Sequence, residues 1–292
     1  MKVPFKQVDV FTGVPFGGNP VAVVLDAQGL DAAQMQRIAN WTNLSETTFV
    51  LPPTHTDADY RVRIFTPRAE LPFAGHPTLG TAHALLEAGR IAARNGRLTQ
   101  ECAAGLIALT VSAADGGGVQ IAFDLPSPGY APLGAGQIDE LEDILGAPLL
   151  RAHPPQFINV GPTWTTVQLA DAATVLSLAP DMARLAAFDL RTKSTGVVVF
   201  GAHAQGADAA MEVRAFAPSQ GVNEDPVCGS GNGAVAAFVR EAGLVAAFGA
   251  RYVSSQGAAV GRSGRLSIGI EAGGAIRVGG QSVTCIDGSI VC

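Results

Sequence analysis

Short apolar or alternating runs, separated by turns rich in glycine and proline, dominate the chain and predict strands more often than helices. In the first half they fall at residues 8–11, 21–25, 47–50, 60–65, 98–102, 107–111 and 119–125. Two stretches carry helical spacing instead. Asp31 caps one that runs to residue 41 and turns Met35, Ile38 and Ala39 inward; the other follows Pro77 and aligns Leu79, Ala82, Leu85 and Leu86. Pro126-Ser127-Pro128-Gly129 breaks regular structure, and the linker between two halves is placed there. Beyond it the pattern predicts helices at 137–145 and 180–187. Strands are predicted at 157–160, 165–169, 196–200, 211–216, 252–254, 266–270, 275–278 and 282–286. Ala234, Val235, Phe238, Val239 and Ala242 mark one further buried helix face. Strands outnumber crossover helices, so the class is α+β and not doubly wound α/β.

The halves repeat. Arg63-Ile64-Phe65-Thr66-Pro67 matches Arg214-Ala215-Phe216-Ala217-Pro218 at a separation of 151 residues. His76-Pro77-Thr78-Leu79-Gly80-Thr81 matches Asp225-Pro226-Val227-Cys228-Gly229-Ser230 at 149, and Glu87-Ala88-Gly89 matches Glu241-Ala242-Gly243 at 154. A period near half the chain means duplication into two domains and excludes a solenoid. The expected domains are 1–128 and 129–292, each a mixed, mostly antiparallel sheet around one long helix, with the last strand able to return to the first domain. Two such glycine turns facing each other would line a cleft with polar groups, where small ligands usually bind.

Composition narrows the function. Hydrophobic residues at 48% against 15% charged exclude a disordered chain. A net charge of −6 with few aromatics argues against a nucleic-acid partner, whose phosphates need basic patches. No apolar run has the length of a membrane span, and the opening Met1-Lys2-Val3-Pro4-Phe5 runs into a strand pattern without a signal-peptide core. A cytoplasmic protein without a membrane partner is expected. The four cysteines are too scattered for a metal knuckle or a dithiol motif. Cys102 and Cys285 read as small buried fillers and Cys292 as a fraying terminus. Cys228 has the one setting, beside a helix start, that would lower a thiol pKa.

Chemistry concentrates at the two turns. Asn223 to Gly233 sits between a strand and a helix, where first-turn amides and the helix dipole favour an anion or a carboxylate. Asp225, Cys228 and Ser230 add an acid, a thiol and a hydroxyl; the same residues also suit a simple helix cap. Glu46 lies where the polar turn Asn43-Leu44-Ser45 gives way to Phe49-Val50-Leu51. Burial there would raise its pKa towards neutrality and make it a proton carrier, the alternative being a turn carboxylate with local hydrogen bonds. His76 could hold or protonate a substrate, or cap its helix. His55, His153 and His203 fall in irregular polar stretches and are expected to be solvated; no metal site is indicated. Gly229-Ser230-Gly231-Asn232-Gly233 lacks the full spacing of a dinucleotide loop, which disfavours a nucleotide-dependent oxidoreductase.

With these residues in view, the chain resembles the phenazine-biosynthesis isomerase (PhzF-like) family, a branch of the diaminopimelate-epimerase fold. The matching pieces are Asp9-Val10-Phe11, Gly18-Asn19-Pro20-Val21-Ala22-Val23-Val24 and Asn43-Leu44-Ser45-Glu46-Thr47-Thr48-Phe49-Val50. Ile64-Phe65-Thr66-Pro67, Glu70-Leu71-Pro72-Phe73-Ala74-Gly75-His76-Pro77-Thr78-Leu79-Gly80-Thr81 and Glu224-Asp225-Pro226-Val227-Cys228-Gly229-Ser230 follow in order. The resemblance implies two pseudo-symmetric domains, each wrapped around a central helix, with the site between them. It further implies a homodimer acting on a small carboxylate without cofactor or metal. Glu46 then corresponds to the acid/base group, and His76 and Asp225 to side chains that line and polarise the substrate. Ser230, with the amides around Gly229 and Gly231, corresponds to the carboxylate anchor, Gly75 to the opposite glycine wall, and Asn19 to a substrate contact. The implied reaction is that of trans-2,3-dihydro-3-hydroxyanthranilate isomerase, a proton moved between carbons. Epimerases and racemases of this fold use two cysteines; Cys228 stands at the second such position, but Ala74 stands at the first. An amino-acid epimerase using Cys228 as a second base, or a catalytically silent carboxylate-binding protein, are the alternatives.

Overall fold

The computed structural model describes residues 1–114 and 117–292. The first half contains strands β1 (Lys2–Val10), β2 (Asn19–Val24), β3 (Thr47–Leu51), β4 (Tyr60–Phe65), β5 (Glu70–Leu71), β6 (Arg97–Cys102), β7 (Gly105–Ala113) and β8 (Val119–Asp124). Helix α1 (Ala32–Thr42) precedes β3, and α2 (Gly75–Glu87) follows β5. The second half opens with β9 (Gly129–Pro132), α3 (Ala135–Leu145), β10 (Gln156–Asn159), β11 (Thr163–Gln168), α4 (Ala172–Ser177) and α5 (Met182–Thr192). It continues through β12 (Gly196–Ala202), β13 (Met211–Ala217), β14 (Val222–Asp225), α6 (Gly229–Glu241), α7 (Val245–Phe248), β15 (Arg251–Gln256) and β16 (Gly264–Ile270). The sixteen-residue β17 (Ile276–Val291) ends it.

The contacts divide the chain into one unit of Met1–Phe123 with Gly279–Cys292 and another of Asp124–Val278. The last strand thus belongs largely to the first unit, where β17 pairs antiparallel with β1. Each unit repeats one topology. In the first, β1–β2 is antiparallel, β2–β3 parallel, β3–β4 and β4–β5 antiparallel, β4–β6 parallel and β6–β7 antiparallel. In the second, β10–β11, β11–β12, β12–β13, β13–β14, β13–β15 and β15–β16 follow the same sequence of directions. Antiparallel pairs predominate and the class is α+β, an epimerase-like architecture.

One long helix lies inside each unit. Residues from His76 to Ala82, with Ala84 and Leu85, are all buried in α2, so this helix is enclosed on every side and needs sheet around it. Gly80 makes the approach possible: a Cβ there would stand 2.4 Å from Val21 Cγ1 and 2.9 Å from Val10 Cγ2. The buried faces are tied by polar pairs in matching places. Gln100 of β6 donates to Thr78 Oγ1 at 2.9 Å, and Ser254 of β15 donates to Asn232 Oδ1 of α6 at 2.5 Å. Amphipathic helices cover the outer faces. Asp31 and Gln34 form a reciprocal capping box that starts α1, whose Met35 and Ala39 pack on Val3, Val24, Phe49 and Phe65. In the second unit Leu141, Leu145, Leu185 and Phe188 pack on Val197, Val199 and Phe216.

Several expectations are corrected. Helices α2 and α6 are both 13 residues long and start at Gly75 and Gly229, so the register across the turn is 154, not 149. Three residues separate β5 from α2 and β14 from α6 alike, which pairs Ala74 with Cys228 and His76 with Ser230; Asp225 matches Leu71. Helix α5 extends to Thr192, beyond the expected 187, because its polar last turn hides the signal. Cys102 and Cys285 are half-buried at strand positions and do not fill the core. Cys292 does not fray: its amide donates to Met1 O at 2.7 Å and it packs against the α1 cluster. His203 is not simply solvated, since Nε2 lies 2.8 Å from Ser255 Oγ and 3.3 Å from Glu212 Oε2.

Candidate active site

The first unit gathers Asn19, Glu46, Gly75 and His76. Asn43 ends α1 in a left-handed conformation (φ 54°), and the chain then runs through Leu44 and Ser45 to place Glu46 just before β3. The Glu46 amide oxygen accepts from Ala22 N at 3.4 Å, which fixes its backbone to β2. Its side chain is 16% exposed, and Oε2 stands 3.4 Å from Nε2 of His76, itself 8% exposed. Burial pushes the Glu46 carboxyl up to about 7, against a smaller opposing effect of its hydrogen bond with Ser45. Ser45 Oγ also reaches Asn19 Oδ1 at 3.5 Å, so Asn19 joins this group through Ser45. His76 is the second residue of α2, and the residue before the helix, Ala74, supplies no side-chain cap. Gly75 lies under the Phe123 ring, whose Cζ would stand 2.8 Å from a Cβ there, so any side chain would displace the ring.

The second unit gathers Asp225, Cys228, Gly229, Ser230 and Gly231. Asp225 ends β14, and its Oδ1 accepts from Val227 N at 3.0 Å, which bends the chain into the turn. Cys228 is the cap of α6: its Sγ accepts from Gly231 N at 3.3 Å. Helix geometry gives the Gly229 and Ser230 amides no intrahelical acceptor, so the turn presents N–H groups at a positive dipole end. Ser230 Oγ accepts from Trp164 Nε1 at 3.1 Å and lies 3.6 Å from Cys228 Sγ. The thiol does not have the lowered pKa expected from the sequence. Desolvation first, then the charge of Asp225, pushes it well above its usual value, and hydrogen bonds from Ser230 and Gly231 only partly oppose this.

Sequence reading missed Gln256 and Trp164. Gln256 organises the turn: its Oε1 accepts from Cys228 N (3.0 Å) and Asn232 Nδ2 (2.8 Å), while its Nε2 donates to Asp225 O (2.8 Å). Gln256 ends β15, whose Ser254 and Ser255 are also polar, so no local pattern signals its role. Trp164 is one of only two tryptophans, and its indole N–H needs an acceptor once buried. Among the described residues no group of three or more His, Cys, Asp or Glu is placed to hold a metal ion. No helix among them is long and apolar enough to cross a membrane.

The chain matches the sequence model of the PhzC–PhzF family, phenazine biosynthesis-like protein, over residues 8–288. It is 43% identical to Antisense-enhancing sequence 1 of Schizosaccharomyces pombe over 97% of each chain. It is 37% identical to the trans-2,3-dihydro-3-hydroxyanthranilate isomerase of Pseudomonas chlororaphis, over 97% of this chain and 98% of that one. The crystal structure of a PhzF-family phenazine biosynthesis protein from Bacillus anthracis matches at a TM-score of 0.87 and 24% identity, covering 100% of both chains, a likeness of fold.

Proposed function

The chain belongs to the phenazine biosynthesis-like family and is an isomerase, and from that premise we propose that it moves a proton between carbons of a small carboxylate substrate with Glu46 as the proton carrier. The observation that carries this reading is the buried Glu46 carboxyl, raised to about 7 and 3.4 Å from His76 Nε2. A group with that pKa is populated in both forms near neutrality, so it accepts a proton readily and also gives it back. In the forward step the carboxylate takes a proton from a carbon acidified by conjugation. One C–H bond breaks, an O–H bond forms on Glu46, and the electron pair moves into the conjugated system. In the second step Glu46, whose carboxyl proton exchanges with solvent between the two steps, delivers a proton to a different carbon. The substrate undergoes no net redox change, so the reading calls for no redox cofactor.

The turn before α6 suits the other task. Its amides and the Ser230 hydroxyl would hold the substrate carboxylate, with Asp225 fixed nearby by Val227 N and Gln256. Within the first unit, His76 and Asn19 stand with Glu46 and would orient a reacting group there. The relatives' named substrate, trans-2,3-dihydro-3-hydroxyanthranilate, fits as a small conjugated carboxylate and is the first compound to test. In D2O the native protein is expected to place deuterium at carbon in the product, and E46Q to lose this by about 10²–10⁴-fold. Undiminished labelling by E46Q would remove Glu46 from the mechanism.

A further inference from the structure

The hydrogen bond between Trp164 and Ser230 has a directional consequence. An indole nitrogen donates and never accepts, so in this contact (3.1 Å) Ser230 Oγ is the acceptor. The hydroxyl proton must then point elsewhere, either at Cys228 Sγ, 3.6 Å away, or at an arriving anion. A thiol is a weak acceptor, whereas a carboxylate is a strong one. The indole is also held hard in place. Trp164 is 3% exposed and lies opposite Gly196 in the parallel pair of β11 and β12. A Cβ at Gly196 would fall 2.1 Å from Phe216 O and 2.9 Å from the ring's Cζ3, so the close approach of β13 excludes a side chain there and the ring packs against the bare backbone.

We propose that Trp164 is a positioning residue: it occupies one lone pair of Ser230 and so turns the serine proton towards a bound carboxylate. The inference rests on the reading of the α6 turn as a carboxylate anchor. It adds a residue 66 positions away in sequence to that anchor. A hydroxyl oriented before the ligand arrives loses less rotational freedom on binding, which is where the gain in affinity comes from.

Two tryptophans give two indole N–H resonances, and W41F identifies which belongs to Trp164. We expect S230A to shift the Trp164 resonance, and titration of the native protein with benzoate to shift it too, an effect S230A abolishes. A resonance unmoved by S230A overturns the positioning role. One moved by S230A but indifferent to benzoate overturns the carboxylate anchor while the hydrogen bond stands. In turnover, W164F is expected to raise KM by about three- to tenfold with a smaller change in kcat, the size of one lost oriented hydrogen bond. On the S230A background the same substitution should add almost nothing. An undiminished effect on that background, which a merely structural role would give, counts against the proposal, and the resonance arm decides the matter without W164F if that variant does not fold.

Discussion

Gly196 stands in the second unit at the register position that Glu46 holds in the first. Thr47 of β3 pairs with Phe65, and Val197 of β12 pairs with Phe216, while Phe65 and Phe216 close the matching Arg-x-Phe segments. The residues just before, Glu46 and Gly196, are therefore equivalent. The neighbouring difference runs the other way: Ala74 precedes α2 where Cys228 precedes α6. In the first unit Glu46 reaches His76; in the second Gly196 has no side chain, and Trp164, its partner across β11 and β12, reaches Ser230, the counterpart of His76. The two similar turns therefore carry different contacts, Glu46 with His76 in one unit and Trp164 with Ser230 in the other.

The Glu46 carboxyl has a stability signature separate from activity. Its pKa rises from 4.5 to about 7 on folding, so across that range the folded state binds more protons than the unfolded state. Stability therefore falls as pH rises from about 4.5 to 7, and the loss is complete above. E46Q keeps the shape without the charge. It should be more stable than the native protein at pH 8, on the order of 2–3 kcal/mol, with the two converging near pH 4. Urea denaturation at both pH values checks this; equal gains at both would refute burial as the cause. The activity limb moves in the opposite sense, since the base form of Glu46 is needed, so kcat/KM should climb with pH to a midpoint near 7.

Cys228 should behave as a cap and not as a base. Its thiol is raised well above the usual range by burial and by Asp225, so almost no thiolate is present near neutrality. Iodoacetamide should modify the half-buried Cys102 and Cys285 before Cys228, which peptide mapping reads directly. Cys228→Ser keeps a side-chain acceptor for Gly231 N and should retain carbon-bound hydrogen exchange. Loss of exchange in that variant, with the fold intact, would restore the thiol as a proton carrier.

Much of this was readable before any coordinates. The glycine turns stand out because first-turn amides need glycine nearby; the segment around Glu46 fitted a turn carboxylate equally well, and the family resemblance is what singled it out. The register was not readable. Asp225-Pro226 looks like His76-Pro77, but proline follows a polar residue for local reasons in both places, and only the helix starts reveal that Asp225 matches Leu71. Gln256 and Trp164 were invisible for a related reason. Their importance comes from partners 28 and 66 residues away, which no local pattern encodes. Short β5, β9 and β14 were lost because Glu70-Leu71, Gly129-Tyr130-Ala131-Pro132 and Val222-Asn223-Glu224-Asp225 hold no apolar run, whereas the equally short β10 was found through Phe157 and Ile158.

The duplicated arginine pairs separate burial from sequence. Arg63 grips Glu70 through two hydrogen bonds of 2.7 and 2.6 Å, and Arg214 grips Glu224 through two of 2.9 and 2.8 Å. Each guanidinium also lies over the phenylalanine two residues on, at 5.1 and 4.9 Å. The first pair is 30% and 35% exposed, the second 7% and 9%. E70Q should therefore cost only about 0–1 kcal/mol. E224Q strands a buried guanidinium that also serves Val175 O and Leu178 O, and should cost roughly 3–5 kcal/mol. Equal losses by denaturant titration would contradict this.

Gly80 offers a test of how tightly the sheet closes on α2. In an exposed helix, glycine to alanine would gain about 1 kcal/mol from propensity. Here the new methyl would meet Val21 Cγ1 at 2.4 Å and Val10 Cγ2 at 2.9 Å, and both valines are fully buried and held by strand pairing. Overpacking of that kind costs about 1–3 kcal/mol, so the steric effect outweighs propensity and G80A should be destabilised. V21A alone opens a void and should also be destabilised. Combined, the alanine methyl at 80 enters the space vacated at 21. The double variant should lose clearly less stability than the two single losses added together, because the sites share one volume. Simple additivity in urea titrations would mean that the helix shifts within its sheet to relieve the clash, and that Gly80 is not what sets the distance between them.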